Sequence, residues 1–173
     1  MVSDSSSELR PGTEGLARDH DLGQFDCGKP PLNEWLTRYA WQNQLADASK
    51  TYVACRGNRV AGYYSLVASS IQKSDAADRV ARGLANHPIG VILLARLALN
   101  KTEKGQGLGK ALLKNALVRT AQAAEIVGVP ALLVHAIDEE ARLYYLHFNF
   151  EPSPIDPMHL MLLIKDLRTM LKQ

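Results

Sequence analysis

The run HPIGVILLARLAL, His87–Leu99, leads through a short polar stretch into KGQGLG, Lys104–Gly109, and then into a long apolar helical pattern. No other part of the chain limits the fold as strongly. β-Branched residues open the run, and Pro88 and Asn100 bound it, which predicts a buried central strand about ten residues long. The helix that follows carries an apolar stripe from Leu108 to Ile126 and stops at Gly128, with Pro130 beyond. The next strand is ALLVHAI, Ala131–Ile137. A strand joined to a strand through a helix implies a parallel pair.

Three glycines at alternate positions need a reason, because glycine loses more backbone freedom on folding than any other residue. A dinucleotide fingerprint requires G-x-G-x-x-G with a nearly all-parallel surrounding, and the spacing here is G-x-G-x-G. A Walker A loop requires a hydroxyl after its lysine. Ala111 follows Lys110, and Lys104 stands where the first glycine belongs. Close packing of helix on strand explains one glycine. A pyrophosphate cradle explains all three: the first amides of a helix lack internal acceptors and carry the positive end of its dipole. Bare backbone at Gly105, Gly107 and Gly109 lets an anion approach them, with Lys104 and Lys110 at the rim.

The rest of the chain reads as a mixed sheet with helices on both faces, in the order α, β-hairpin, α, β-α-β, α, β. Leu32, Trp35, Leu36, Tyr39 and Ala40 recur at helical spacing. Thr51–Cys55 and VAGYYSLVASSI form a hairpin about Gly57–Asn58. SDAADRVARGL is a short helix with Ser74 or Asp75 as its cap. DEEARLYYLHF begins at a capping Asp138, with carboxylates in the first turn. MHLMLLI is a last strand, followed by a terminal helix or tail. The chain of 173 residues fits one domain, 1–173, with a loose leader over 1–12.

With 46% hydrophobic and 22% charged residues and a net charge of +2, the composition is that of a soluble globular protein. Neither a signal peptide nor a membrane span is visible, so the expected location is cytoplasmic. Cys27 and Cys55 make neither a metal spacing nor a disulfide framework, and no metal is expected. Between Asp78 and Lys110, six basic residues (Arg79, Arg82, Arg96, Lys101, Lys104 and Lys110) outnumber two acidic ones. Such a segment is either ordinary solvated surface or a rim that faces an anion.

KGQGLG resembles the [RQ]-x-x-G-x-[GA] segment of the GCN5-related N-acetyltransferases (GNAT), with Lys104 in place of the usual Arg or Gln. FDCGKPPLNEWL, SKTYVACRGNRVAGYYSL and ARLYYLHFNFEPSP are together similar to the acetyltransferase toxins of bacterial toxin–antitoxin pairs. The likeness runs from about Asp21 to Leu163, with Asn149 where those toxins have glycine in FGF. It implies a GNAT fold, with a central mixed sheet whose two parallel strands splay apart. It also implies transfer of acetyl from acetyl-CoA to the free α-amino group of aminoacyl-tRNA, which stops translation. Acetyl-CoA would lie on Lys104, Gly105, Gln106, Gly107, Leu108, Gly109 and Lys110, with its thioester and pantetheine arm along the strand edge at Leu97, Ala98 and Leu99. Tyr145 would be the general acid, a phenol of pKa about 10 serving a thiolate. Tyr144 reads as core, His135 as a buried histidine and Glu139 as a first-turn carboxylate. An α-amine of pKa about 8 is partly neutral already, so water suffices as base. Arg38, Arg79, Arg82 and Arg96 are candidates for tRNA phosphates. The implied partners are a ribbon-helix-helix antitoxin, operator DNA through that antitoxin, and a second copy in a homodimer. Acetylation of a small amine or a protein N-terminus, and a non-catalytic CoA-binding module, are the alternative readings.

Overall fold

The structure is a computed structural model that describes residues 8–173. Its strands, β1 (Glu14–Gly15), β2 (Lys50–Arg56), β3 (Arg59–Ile71), β4 (Ile89–Leu99), β5 (Ala131–His135), β6 (Glu151–Pro152) and β7 (His159–Leu163), form one seven-stranded sheet in the order β1-β2-β3-β4-β5-β7-β6. Contacts divide the chain into two compact units: the chain through Val67 together with Arg96–Ala116, and Ala68–Ala95 together with Leu117–Gln173.

In the first unit, β2 (Lys50–Arg56) and β3 (Arg59–Ile71) make the expected hairpin. Gly57 supplies a positive φ of 59° at the turn. The register runs from Lys50↔Leu66 to Arg56↔Arg59, with a slip at Ala54/Cys55. The helical segment begins with Pro30 at its first position, α1 spanning Pro30–Glu34 and α2 Ala40–Leu45. Between them, Trp35–Tyr39 is a π-helical turn in which the Ala40 N–H reaches back to the Trp35 carbonyl. That extra residue per turn rotates the pattern. Leu36 and Ala40 are buried as expected, whereas Tyr39 is exposed. Leu36, Ala40, Val53, Cys55, Val60, Tyr63 and Ala98 share one core. On the other face of β3, a Cβ at Gly62 would lie 2.8 Å from Leu112 and 3.2 Å from the Ala98 carbonyl, so this glycine permits the close approach of its neighbours.

The leader expected over 1–12 lies partly outside the described residues. What is described of it is not loose. Leu9 bridges Arg56, the Arg10 N–H donates to the Cys55 carbonyl at 2.8 Å, and β1 (Glu14–Gly15) pairs antiparallel with β2. The edge of β2 offers unpaired backbone groups, and the segment satisfies them.

In the second unit, the helix expected over SDAADRVARGL is two pieces: a 3₁₀ turn at Lys73–Asp75, and α3 at Asp78–Ala81. Neither Ser74 nor Asp75 caps α3, whose N-cap is Ala77 with no side-chain hydrogen bond. A tertiary bond holds this region instead, from the Ser153 hydroxyl to the Asp75 carbonyl at 2.6 Å. β4 (Ile89–Leu99) begins in this unit and pairs parallel with β5 (Ala131–His135), from Ile92↔Leu132 to Leu94↔Val134. This parallel pair is the one predicted. The connecting helix α4 (Leu108–Ile126) buries Leu112, Leu113, Ala116 and Leu117. β7 (His159–Leu163) lies antiparallel to β5 and carries β6 (Glu151–Pro152) on its far side. α5 (Glu139–His147) and α6 (Ile164–Leu171) complete the unit. Its core is Ala76, Ala77, Val80, Ile89, Val91, Ala131, Leu133 and Met161. Among the described residues, no helix is long and apolar enough to cross a membrane.

Candidate functional site

In the first unit the glycine loop bends through two left-handed residues, Gly105 at φ 79° and Gly107 at φ 84°. Nothing lies within 4 Å of where a Cβ would sit at either, so backbone conformation, not crowding, requires glycine there. The third, Gly109, is already inside α4. Lys104, Gly105, Gln106 and Gly107 are exposed, Leu108 is buried beneath them, and Lys110 is exposed on the first turn. The Ala111 N–H is the first to bond back into the loop, to the Gly107 carbonyl at 3.1 Å. The amides ahead of it have no intrahelical acceptor, which leaves an open, positively polarised backbone surface suited to a diphosphate.

Two anchors that no sequence motif announces hold this loop. Glu103 is buried and takes two hydrogen bonds from Arg56, Nε at 2.7 Å and Nη2 at 2.9 Å. Arg56 beside it lowers the pKa of the carboxyl. Asn100, also buried, accepts from the Asp26 N–H at 2.8 Å, while the Lys101 N–H donates to the Asp26 carbonyl at 2.8 Å. Neither contact is visible in sequence spacing, since each partner lies more than forty residues away.

Leu97, Ala98 and Leu99 sit at the end of β4. The parallel ladder with β5 ends at Leu94↔Val134, and β4 continues to Leu99. These three residues therefore lie past the parallel pairing. Arg96, one position earlier, places its guanidinium carbon 4.0 Å from the centre of the Trp35 ring. Trp35 in turn stacks on Tyr63, with centroids 6.0 Å apart and planes 13° apart. Arg38 is exposed and pairs with Glu34 at 3.3 Å.

Glu14, His20 and Cys55 bring three potential metal-ligand atoms within 4.8 Å of one another. The Ala17 N–H donates to His20 Nδ1 at 2.8 Å, so Nε2 carries the proton and faces Glu14 at 3.1 Å. The Arg10 guanidinium lies beside Cys55, and it also pairs with Glu14. Both ring nitrogens and the carboxylate are already engaged, and a neighbouring cation opposes a second one.

In the second unit Asp138 caps α5, accepting from the Ala141 N–H at 2.8 Å, as its position predicted. Tyr145 is buried on this helix, with its ring 5.3 Å from Phe150 and 5.6 Å from Tyr144. Among the described residues its hydroxyl makes no hydrogen bond. Burial raises its pKa well above the ordinary tyrosine value, and Tyr144 adds to the rise, so the phenol is protonated at neutral pH. Tyr144 is half-buried against Phe148 at 5.0 Å, and its buried hydroxyl also lacks a partner. Asn149 adopts φ 67°, a left-handed conformation that asparagine tolerates better than most residues.

His135 is not the buried histidine expected. It is exposed at the end of β5, stacked on His159 at 4.0 Å, and desolvation together with that neighbour lowers its pKa. Arg79 is committed to carboxylates: it meets Glu151 at 2.7 Å and Asp166 at 2.6 and 3.1 Å. A phosphate would have to displace both. Arg82 is exposed at the end of α3. Of the six basic residues in the positive segment, Arg79 and Lys101 are thus neutralised by partners outside it, Lys101 by Asp26 at 3.0 Å.

The profile of the acetyltransferase (GNAT) family matches residues 17–150. A "tRNA-acetylating toxin" of Mycobacterium tuberculosis (strain ATCC 25618 / H37Rv) is 46% identical over 151 residues, covering 87% of this chain and 90% of that protein. AtaT complexed with acetyl-methionyl-tRNAfMet superposes with a TM-score of 0.86 at 27% identity, covering 94% of this chain and 99% of that one. A tyrosine-to-phenylalanine mutant of the AtaT toxin, bound to the C-terminus of the antitoxin AtaR and acetyl-CoA, gives 0.81 at 28% identity, covering 96% and 99%.

Proposed function

This chain belongs to the acetyltransferase (GNAT) family, and from that premise we propose that it is a toxin that acetylates aminoacyl-tRNA and so blocks translation. The observation that carries the acceptor is the 46% identity to a tRNA-acetylating toxin across 87% of the chain. The open amides ahead of α4 support acetyl-CoA as the donor. The loop Lys104–Lys110 receives the diphosphate, and Leu97, Ala98 and Leu99 receive the pantetheine arm and thioester along the edge of β4 that lies past its pairing with β5.

The neutral α-amine of the charged tRNA attacks the thioester carbonyl carbon. The C–S bond breaks as the new C–N bond forms. The departing thiolate takes the hydroxyl proton of Tyr145, the new amide nitrogen releases its proton to water, and the phenolate regains one from solvent. The phenol carries its proton at neutral pH, and burial, which raises its pKa, makes it a weaker acid than an exposed tyrosine. Exposed Arg38 and Arg82, together with Arg96, supply charge for tRNA phosphates, while Arg79 contributes to stability through its two carboxylates. The partners are an antitoxin of the ribbon-helix-helix class, operator DNA through it, and a second copy of the chain. The AtaT–AtaR complex supports the first.

The test is transfer of labelled acetyl from acetyl-CoA to bulk charged tRNA. Label on the aminoacyl group is the expected result; label confined to protein or to small amines overturns the reading.

A further inference from the structure

Arg96 is unusual among the arginines of the first unit that lie against the core. It is half-buried, and desolvation lowers its pKa. Yet among the described residues it has no carboxylate partner, whereas the partly buried Arg56 has Glu103. A guanidinium withdrawn from water normally finds an acceptor for its five N–H groups. Here it meets an aromatic face: the guanidinium carbon lies 4.0 Å from the Trp35 centroid, and Trp35 rests on the buried ring of Tyr63. Such a stack holds the cation by its flat side. It leaves the in-plane donors unsatisfied and oriented, as bidentate recognition of an oxyanion requires.

The backbone makes this arrangement deliberate. Trp35 opens the π-helical turn Trp35–Tyr39, an irregularity that interrupts an otherwise α-helical segment and recurs at functional sites. Tyr63, the base of the stack, is fixed by its own hydroxyl, which donates to the Leu32 carbonyl at 2.7 Å. On β4, Arg96 directly precedes Leu97–Leu99, the strand end that lies past the parallel pairing.

We propose that Arg96 holds the phosphate of the terminal nucleotide of the charged tRNA, and that Trp35 is the residue that positions it. This rests on the function proposed above. The ester-linked amino acid hangs from that last nucleotide. A clamp on its phosphate, one residue from the strand edge that receives the thioester, fixes how far the amine reaches along β4. It acts on every charged tRNA alike, since it touches no feature of sequence.

Acetyl-CoA also carries phosphates, and the experiment separates the two sources. Steady-state transfer is measured for wild type, Arg96→Gln, Arg96→Lys, Trp35→Phe and Trp35→Leu, varying charged tRNA and acetyl-CoA independently and repeating at several salt concentrations. Arg96→Gln is expected to raise KM for charged tRNA about tenfold or more and to leave KM for acetyl-CoA in place. It should also flatten the logarithmic salt dependence of tRNA binding by about 0.7, one single-strand phosphate contact. Arg96→Lys keeps charge but not the fork, and is expected to recover only part of the loss. Trp35→Phe retains an aromatic face and most of the affinity, whereas Trp35→Leu, which fills space without one, behaves like Arg96→Gln. An unchanged KM for charged tRNA in Arg96→Gln, a rise in KM for acetyl-CoA instead, or equal behaviour of the Phe and Leu variants overturns the proposal while the function stands. A wild-type chain that acetylates no charged tRNA overturns both.

Discussion

Arg56 and Glu103 meet through two hydrogen bonds, at 2.7 and 2.9 Å, and join the end of the β2 strand to the turn that precedes the glycine loop. Glu103 is 3% exposed. Removing its partner strands a charge that water reaches poorly. Arg56→Ala is expected to cost roughly 3 kcal/mol, while Arg56→Met with Glu103→Leu, which removes both charges, costs much less. Urea denaturation of the two variants checks this. The single variant should also raise KM for acetyl-CoA, because the loop loses its anchor.

Tyr145→Phe removes one hydroxyl and keeps the ring that packs on Phe150 and Tyr144. Folding stability should stay close to wild type, since among the described residues that hydroxyl bonds to nothing. Turnover should fall about 10²–10⁴-fold, the usual contribution of a general acid, with KM for acetyl-CoA unchanged. Steady-state kinetics and growth arrest on expression give the reading. A Phe variant as toxic as wild type would remove Tyr145 from the mechanism.

Gly105→Ala and Gly107→Ala put a Cβ into open space but onto a left-handed backbone, at φ 79° and 84°. Each is expected to lose about 1–2 kcal/mol of stability. A larger part of the effect should appear as weaker acetyl-CoA binding, because relaxation of φ turns the amides away from a common point. Gly107→Asn should suffer less than Gly107→Val, as Asn tolerates that conformation. Calorimetric titration with CoA ranks the four variants.

Asp26 accepts from the Gly28 N–H at 2.9 Å, and from Asn33 at 3.0 Å, and pairs with Lys101 at 3.0 Å. These donors, the Gly28 amide first, lower its pKa from 3.8 to about 2. A depressed carboxylate stabilises the folded state fully above its unfolded pKa, and the contribution is lost as pH falls through the folded one. Melting temperature should therefore decline between about pH 4 and pH 2. Asp26→Asn should be less stable than wild type at neutral pH and show a shallower decline. Thermal melts across that window decide.

The β4–α4–β5 unit and its glycine loop were legible from sequence because each signal acts locally. An apolar run, a glycine-rich loop ahead of a helix, and a capping Asp138 all work within a few residues of one another, although α4 stops at Ile126, two residues before the expected Gly128. The same holds for Asn149, whose positive φ belongs to a turn of its own. Tertiary structure decided the rest. Leu9, Arg10 and β1 are held by the open edge of β2, which no stretch near the N-terminus announces. Ser153, seventy-eight residues away, secures the segment that Ser74 or Asp75 seemed placed to cap. β5 is buried without alternation from Ala131 to Val134, and His135 is exposed where that strand ends. Glu103 with Arg56, and Arg96 with Trp35, pair over 47 and 61 residues. Charge and ring identity can be read one residue at a time, but whether a charge is neutralised depends on which distant side chain the sheet and helices bring to it.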